Sequence, residues 1–299
     1  MTDTKQINDV NTYPADKGYA VIECPRDAMQ GWKHFIPTEK KIQYINSLLK
    51  VGFDTIDFGS FVSAKAIPQM ADTKEVISKL ETGSSKSKLL AIVANTRGAE
   101  EAVVFEQISY LGFPFSISPT FQKRNTNSTI EESLARVEEI QDLCIKHGRQ
   151  LVIYLSMGFG NPYGDAYDQS ILLKWADEMI NREIGIISLA DTVGMATPEQ
   201  ITYALNSLVP EYPETRFGVH LHSSPSNWKS KLVAAAEAGC KRFDGALKGI
   251  GGCPMAQDDM VGNMKTENII GYLEEKNSIS GWNMEALDES LRLANEIFI

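Results

Sequence analysis

Eight times along this chain a short run rich in β-branched residues is followed by a longer amphipathic one, and that alternation restricts the fold to a wound parallel sheet. The strand-like runs fall at 19–23, 55–59, 88–94, 110–117, 150–155, 184–189, 216–222 and 242–247. Each precedes a turn and then a helical pattern. Pro37-Thr38-Glu39 opens a run that ends at Gly52, Ser128-Thr129-Ile130-Glu131 opens another, and Thr197-Pro198-Glu199 places proline in a first turn. Gly148 and Gly239 read as helix C-terminal stops. Beyond the eighth unit, Asn283 to Phe298 has the pattern of one more helix, packed across the sheet or on a partner.

Both a closed (β/α)8 TIM barrel and an open doubly wound sheet produce this alternation. No Gly-x-Gly-x-x-Gly follows an early strand, which removes the commonest signature of the open form. Polar residues recur just past the strand ends: Arg26-Asp27, Asp57, Asn95, Ser156, Asp191, His220 with His222, and Lys248. In a closed barrel they converge on one rim, where such folds build their active sites; in an open sheet they are strung along an edge. The reading is therefore an α/β protein with a (β/α)8 barrel and an additional C-terminal helix at about 283–298. A single catalytic domain spanning 1–299 suits this fold, because no Pro/Gly/Ser-rich linker or composition shift divides the 299 residues.

The formal charge of −10 and a pI near 5.0 are those of a chain without a concentrated basic face, so nucleic acid is not expected as a partner. No segment is long and apolar enough to span a membrane. Met1 to Val10 are polar and include Asp3 and Asp9, unlike a secretory or transit segment. The four cysteines, Cys24, Cys144, Cys240 and Cys253, form no C-x-x-C pair, which fits separate thiols in a reducing cytoplasm.

The rim residues suggest one divalent cation. His220 and His222 stand two apart, so on a strand both imidazoles share a face while Val219 and Leu221 pack outward. Asp27 after the first strand supplies an anionic ligand, and Asn263, after Gly262, a neutral oxygen. Arg26 is either half of a local ion pair or a donor to a developing oxyanion. Asp57, flanked by apolar residues, needs Arg26, the cation's surroundings or water as its partner. Asp191 reads either as the cap of the helix near Thr197 or as a support that orients a ligand or an arginine. Gly249-Ile250-Gly251-Gly252-Cys253-Pro254 makes a turn whose cysteine is either a small filler or a thiol carried over the site. Gln122-Lys123-Arg124-Asn125 is a solvated loop, with Lys123 and Arg124 as local positive charge.

These segments resemble those of the 3-hydroxy-3-methylglutaryl-CoA lyases among the DRE-TIM metallolyases, from about Val21 through Glu267. The resemblance rests on Pro25-Arg26-Asp27, Ser60-Phe61-Val62-Ser63, Pro68-Gln69-Met70, Asn125 to Ser133, Asp191-Thr192-Val193-Gly194, His220-x-His222 and Gly249 to Pro254. It implies a barrel that binds Mg²⁺ or Mn²⁺ and cleaves an acyl-CoA thioester to acetyl-CoA and acetoacetate. It further implies Asp27, His220, His222 and Asn263 as metal ligands and Arg26 on the enolate. Cys253 becomes the loop thiol, Asp191 an acidic site residue, and Asn125, Tyr154 and Ser188 polar positions around the pocket. A homo-oligomer, as a dimer, is the matching assembly. The general base is left open between Asp27 and His220.

Three departures stand out. The family's Pro-Arg-Asp-Gly-Leu-Gln becomes Ala28-Met29-Gln30 after Asp27, its usual glutamate becomes Asp57, and its His-x-His-Asp ends here in Ser223. The shorter Asp57 is expected to reach Arg26 through water, and Ser223 removes a carboxylate beside the cation. Two other readings stay open: a Claisen condensation or aldol cleavage on the same barrel, and a catalytically silent acyl-CoA-binding barrel.

Overall fold

Eight parallel strands close on themselves in sequence order in the computed structural model, which describes residues 18–252, 261–279 and 281–299. They are β1 (Ala20–Glu23), β2 (Thr55–Ser60), β3 (Lys88–Ile92), β4 (Ile108–Ser116), β5 (Gln150–Ser156), β6 (Ile186–Ala190), β7 (Arg216–His220) and β8 (Arg242–Gly245). The ring is completed by β8 pairing with β1, with Ile22 opposite Asp244. Nearly every strand residue is buried, because the lumen covers one face and the helices cover the other.

The helices between and after the strands are α1 (Pro25–Gln30), α2 (Thr38–Leu48), α3 (Thr73–Ser78), α4 (Thr96–Val103), α5 (Pro119–Thr126) and α6 (Ile130–Lys146). They continue with α7 (Gln169–Ile180), α8 (Pro198–Glu211), α9 (Trp228–Glu237), α10 (Thr266–Glu275) and α11 (Met284–Ile297). Two of the expected starts are capping boxes. Thr129 accepts from Glu132 N while the Glu132 carboxylate accepts from Thr129 N, and Thr197 and Gln200 do the same for α8. Gly148 and Gly239 take positive φ values of 65° and 87° after α6 and α9, as helix stops require.

The eight expected strands are all present, with shifted ends. The consequential shift is in β7, which stops at His220 rather than His222. His222 instead makes an isolated antiparallel bridge with Asn263, so the second histidine is placed by the segment returning after β8. Val219 and Leu221 do pack outward into the layer between strands and helices. Of the rim residues, Asn95 turns away to cap α4 and Lys248 reaches Asn295 on α11, so neither joins the others.

The terminal helix α11 packs on α2 of its own barrel. Ser290 Oγ donates to Ser47 Oγ at 2.8 Å, and the Phe298 ring meets Trp32 and Tyr44 edge-on at 5.3 and 6.2 Å. Phe298→Ala should destabilise the protein toward the lower end of the roughly 3–5 kcal/mol typical of a deleted buried phenylalanine, since the last turn can fray. Urea unfolding measures this, and an unchanged midpoint would show that the ring contacts contribute nothing.

Candidate active site

Pro25 suits a first helical turn, and α1 therefore begins directly at the mouth of β1. That one short helix aims Arg26, Asp27 and Gln30 into a single cavity of about 130 Å³. Arg26 is almost fully buried and uses its whole fork. Nε lies 3.0 and 3.2 Å from the two Asp57 oxygens, Nη2 is 2.5 Å from Asp57 Oδ2, and Nη1 donates to Asp27 Oδ1 at 3.1 Å and Gln30 Oε1 at 2.8 Å. The expected water between Asp57 and Arg26 is therefore not needed. β2 brings the shorter carboxylate close enough for direct contact.

Asp27, His220 and His222 place ligand atoms within 4.8 Å of one another. Asp27 Oδ1 also accepts from Gln30 Nε2 at 2.7 Å and Oδ2 from Asn263 Nδ2 at 2.7 Å. Asn263 Nδ2 also donates to Ile250 O at 3.0 Å, while its amide oxygen, Oδ1, is buried without a hydrogen-bond partner. A buried acceptor left in that state is costly unless something binds it. One carboxylate, two imidazoles and this amide oxygen make a donor set that suits a divalent cation.

The electrostatics favour the ligand forms of Asp27 and His222. Burial works against charge on Asp27, but Arg26, His220 and Asn263 outweigh it and hold the carboxyl below its usual range. Burial and the neighbouring His220 push His222 down to about 3, so its imidazole is neutral and free to donate a lone pair. His220 goes the other way. Burial disfavours its imidazolium, yet Asp244 and Asp27 raise it above the ordinary histidine value.

The remaining expected residues divide by position. Asn125 and Tyr154 line the cavity, together with Thr192 and Ser156. Lys123 and Arg124 lie on the exposed face of α5, with the Arg124 guanidinium 4.5 Å from the Tyr163 ring. Ser188 is in the barrel lumen, 3.4 Å from Asp244, and does not line the cavity. Asp191 does not line it either. Its Oδ1 accepts from Ala196 N and its Oδ2 from Lys231 Nζ at 2.6 Å, and Lys231 donates in turn to the His222 and Gly194 carbonyls at 2.9 and 3.0 Å. The cap of α8 is Thr197, and the cation on Asp191 is a lysine rather than an arginine. Ser223, in place of the family acid, turns its Oγ to Met264 sulfur at 3.6 Å. Cys253 lies outside the described residues.

Sequence reasoning missed Gln30, Lys231 and Asp244. Reading Pro25 onward as a helix would have put Gln30 one turn from Arg26. The Arg242-x-Asp244 alternation in β8 was a visible sign of two polar groups facing the lumen. Nothing local marked Lys231.

Gly251 holds the far side of the site. It takes φ +97°, and a Cβ there would meet Asp27 O at 2.6 Å, Ala28 Cα at 2.8 Å and Asn263 Nδ2 at 2.9 Å. Gly251→Ala should therefore pull Asn263 off Asp27 and weaken cation binding by at least ~10-fold, the lower end of what supporting positions contribute. Titration with Mn²⁺ checks this, and wild-type affinity in the variant would show that the loop backbone yields without moving Asn263.

A closed barrel with a carboxylate and two imidazoles gathered at its C-terminal rim is the arrangement of a barrel enzyme whose site suits a cation. The HMGL-like family model matches residues 22–293. The human cytoplasmic 3-hydroxy-3-methylglutaryl-CoA lyase is 33% identical over 276 residues, covering 89% of this chain and 71% of that protein. A hydroxymethylglutaryl-CoA lyase of Bacillus subtilis is 30% identical over 266 residues, covering 88% and 87%. Among solved structures, an Acinetobacter baumannii HMG-CoA lyase in complex with coenzyme A and 3-methylmalate superposes with a TM-score of 0.86 at 31% identity, covering 96% and 93%. The B. subtilis HMG-CoA lyase gives 0.87 at 30%, covering 95% of each chain. This chain belongs to the HMGL-like family.

Proposed function

We propose that this protein cleaves 3-hydroxy-3-methylglutaryl-CoA to acetyl-CoA and acetoacetate with Mg²⁺ or Mn²⁺ held by Asp27, His220, His222 and Asn263. The observation that carries this reading is the convergence of Asp27, His220 and His222 with Arg26 on one cavity, with Asn263 hydrogen-bonded to Asp27 behind them. A cation bound there supplies Lewis acidity, making a chelated tertiary hydroxyl easier to deprotonate. Asp27 accepts the hydroxyl proton, since His220 has one ring nitrogen facing Asp244 and the other given to the cation. As the carbinol becomes a ketone, its bond to the carbon beside the thioester breaks and the electron pair passes into the thioester enolate. Arg26, immobilised by Asp57 and Gln30, holds the enolate oxygen. Cys253 is the proposed acid that returns a proton to the enolate carbon and completes acetyl-CoA. Asn125 and Tyr154 orient the acyl chain, and Lys123 and Arg124 remain candidates for the CoA phosphates.

The test is acetoacetate release from the CoA thioester by protein stripped with a chelator, then resupplied with Mg²⁺ or Mn²⁺. Activity should vanish and return. Equal turnover before and after stripping, or faster turnover of a 4-hydroxy-2-oxo acid, would overturn the reading. Cys253→Ser should slow turnover by orders of magnitude at unchanged Mg²⁺ affinity, because a hydroxyl is a far weaker acid than a thiol. Full activity in that variant would remove the thiol from the reaction. We place the reaction in a reducing cytoplasm, consistent with the free, buried Cys24, Cys144 and Cys240. Among the described residues no helix is long and apolar enough to cross a membrane.

A further inference from the structure

The lumen of this barrel is not wholly apolar. Leu90, Ile92, Tyr110, Val152, Tyr154 and Ile186 form a hydrophobic cluster there, but β7 and β8 contribute a polar column in which Arg242, Asp244 and His220 follow one another toward the rim. The parallel register sets His220 directly beside Asp244. Both side chains therefore project to the same face. Room for the column comes from Gly218, where a Cβ would sit 3.0–3.1 Å from three carbons of the Arg242 side chain.

We propose that Asp244 is a positioning residue for the cation site, acting through His220; this rests on the ligand set assigned above. Asp244 is fully buried. Arg242 Nη1 donates to its Oδ1 at 2.7 Å, which holds the carboxylate in one orientation. Its Oδ2 then lies 3.4 Å from His220 Nδ1, a buried nitrogen with no hydrogen-bond partner at closer range. A carboxylate there selects the tautomer with the proton on Nδ1 and leaves the Nε2 lone pair for the cation beside Asp27 and His222. Without it, the proton has no reason to stay on the lumen side, and a proton on Nε2 excludes the metal. Arg242 thus acts two steps from the cation: it fixes the carboxylate that fixes the ring.

Two measurements without substrate test this. In Mg²⁺-loaded protein with ¹⁵N-labelled histidine, His220 should show a protonated Nδ1 and a bare Nε2; the reverse tautomer overturns the proposal with no variant needed. Asp244→Asn should weaken Mn²⁺ binding, read from the free-ion EPR signal, by roughly 10–100-fold, the range for outer partners of metal ligands. If Asp244 served only as the counter-ion of Arg242, the double variant Asp244→Asn with Arg242→Gln would regain both thermal stability and Mn²⁺ affinity. If it acts through His220, affinity stays low as stability recovers. Tight Mn²⁺ binding untouched by Asp244→Asn sinks this proposal alone, whereas wild-type protein that takes up no Mn²⁺ sinks the cation site itself.

Discussion

Arg26→Lys is expected to lower kcat by ~10² to 10³, the usual loss for one well-placed oxyanion donor, while Mn²⁺ affinity stays within a few-fold of wild type. Lysine keeps the charge, but Arg26 makes contacts in three directions at once: to both oxygens of Asp57, to Asp27 and to Gln30. A single ammonium cannot span them and still face the cavity. The remaining carboxylates stay partly compensated, so circular dichroism should report a folded barrel. Near-wild-type kcat in a folded variant would reduce Arg26 to a structural ion-pair partner of Asp57.

His222→Ala should abolish stoichiometric cation uptake and turnover together. Outer partners of metal ligands are worth ~10–100-fold in affinity, so loss of a ligand itself should exceed ~10². The pH dependence of Mn²⁺ binding to wild-type protein should then isolate the other histidine. His222 stays neutral down to about 3, whereas His220 is raised above its ordinary value because Asp244 and Asp27 outweigh its burial. A proton on His220 competes with the cation, so affinity should fall as pH drops through the raised pKa of that residue and recover above it. Affinity that is flat between about pH 8 and pH 6 would remove His220 from the ligand set.

Much of this was legible in the chain itself. The eight strands follow from β-branched runs and turn signals, and the helix starts from capping residues such as Thr129 and Thr197, because periodicity and caps act within a few residues. A closed barrel then brings strand ends to one rim, which is why the sequence alone groups Arg26, Asp27, His220 and His222.

What only the tertiary structure decided lies in contacts between residues far apart in sequence. Asn263 reaches Asp27 across 236 positions and Arg26 reaches Asp57 across 31, directly and not through water. His222 leaves β7 and is placed by its bridge to Asn263. Lys231, on the far helix α9, takes the partner of Asp191 that the sequence reading left to an arginine or a metal ligand. Asp244 meets His220 only because β7 and β8 pair in one particular register. Local propensity says that a segment is a strand or a helix; it does not say which of its neighbours it slides against, and a one-residue slip would turn Asp244 to the opposite face. Register and helix docking are set by burying the whole core at once, so the residues that tune this site depend on packing that no short stretch of the chain encodes.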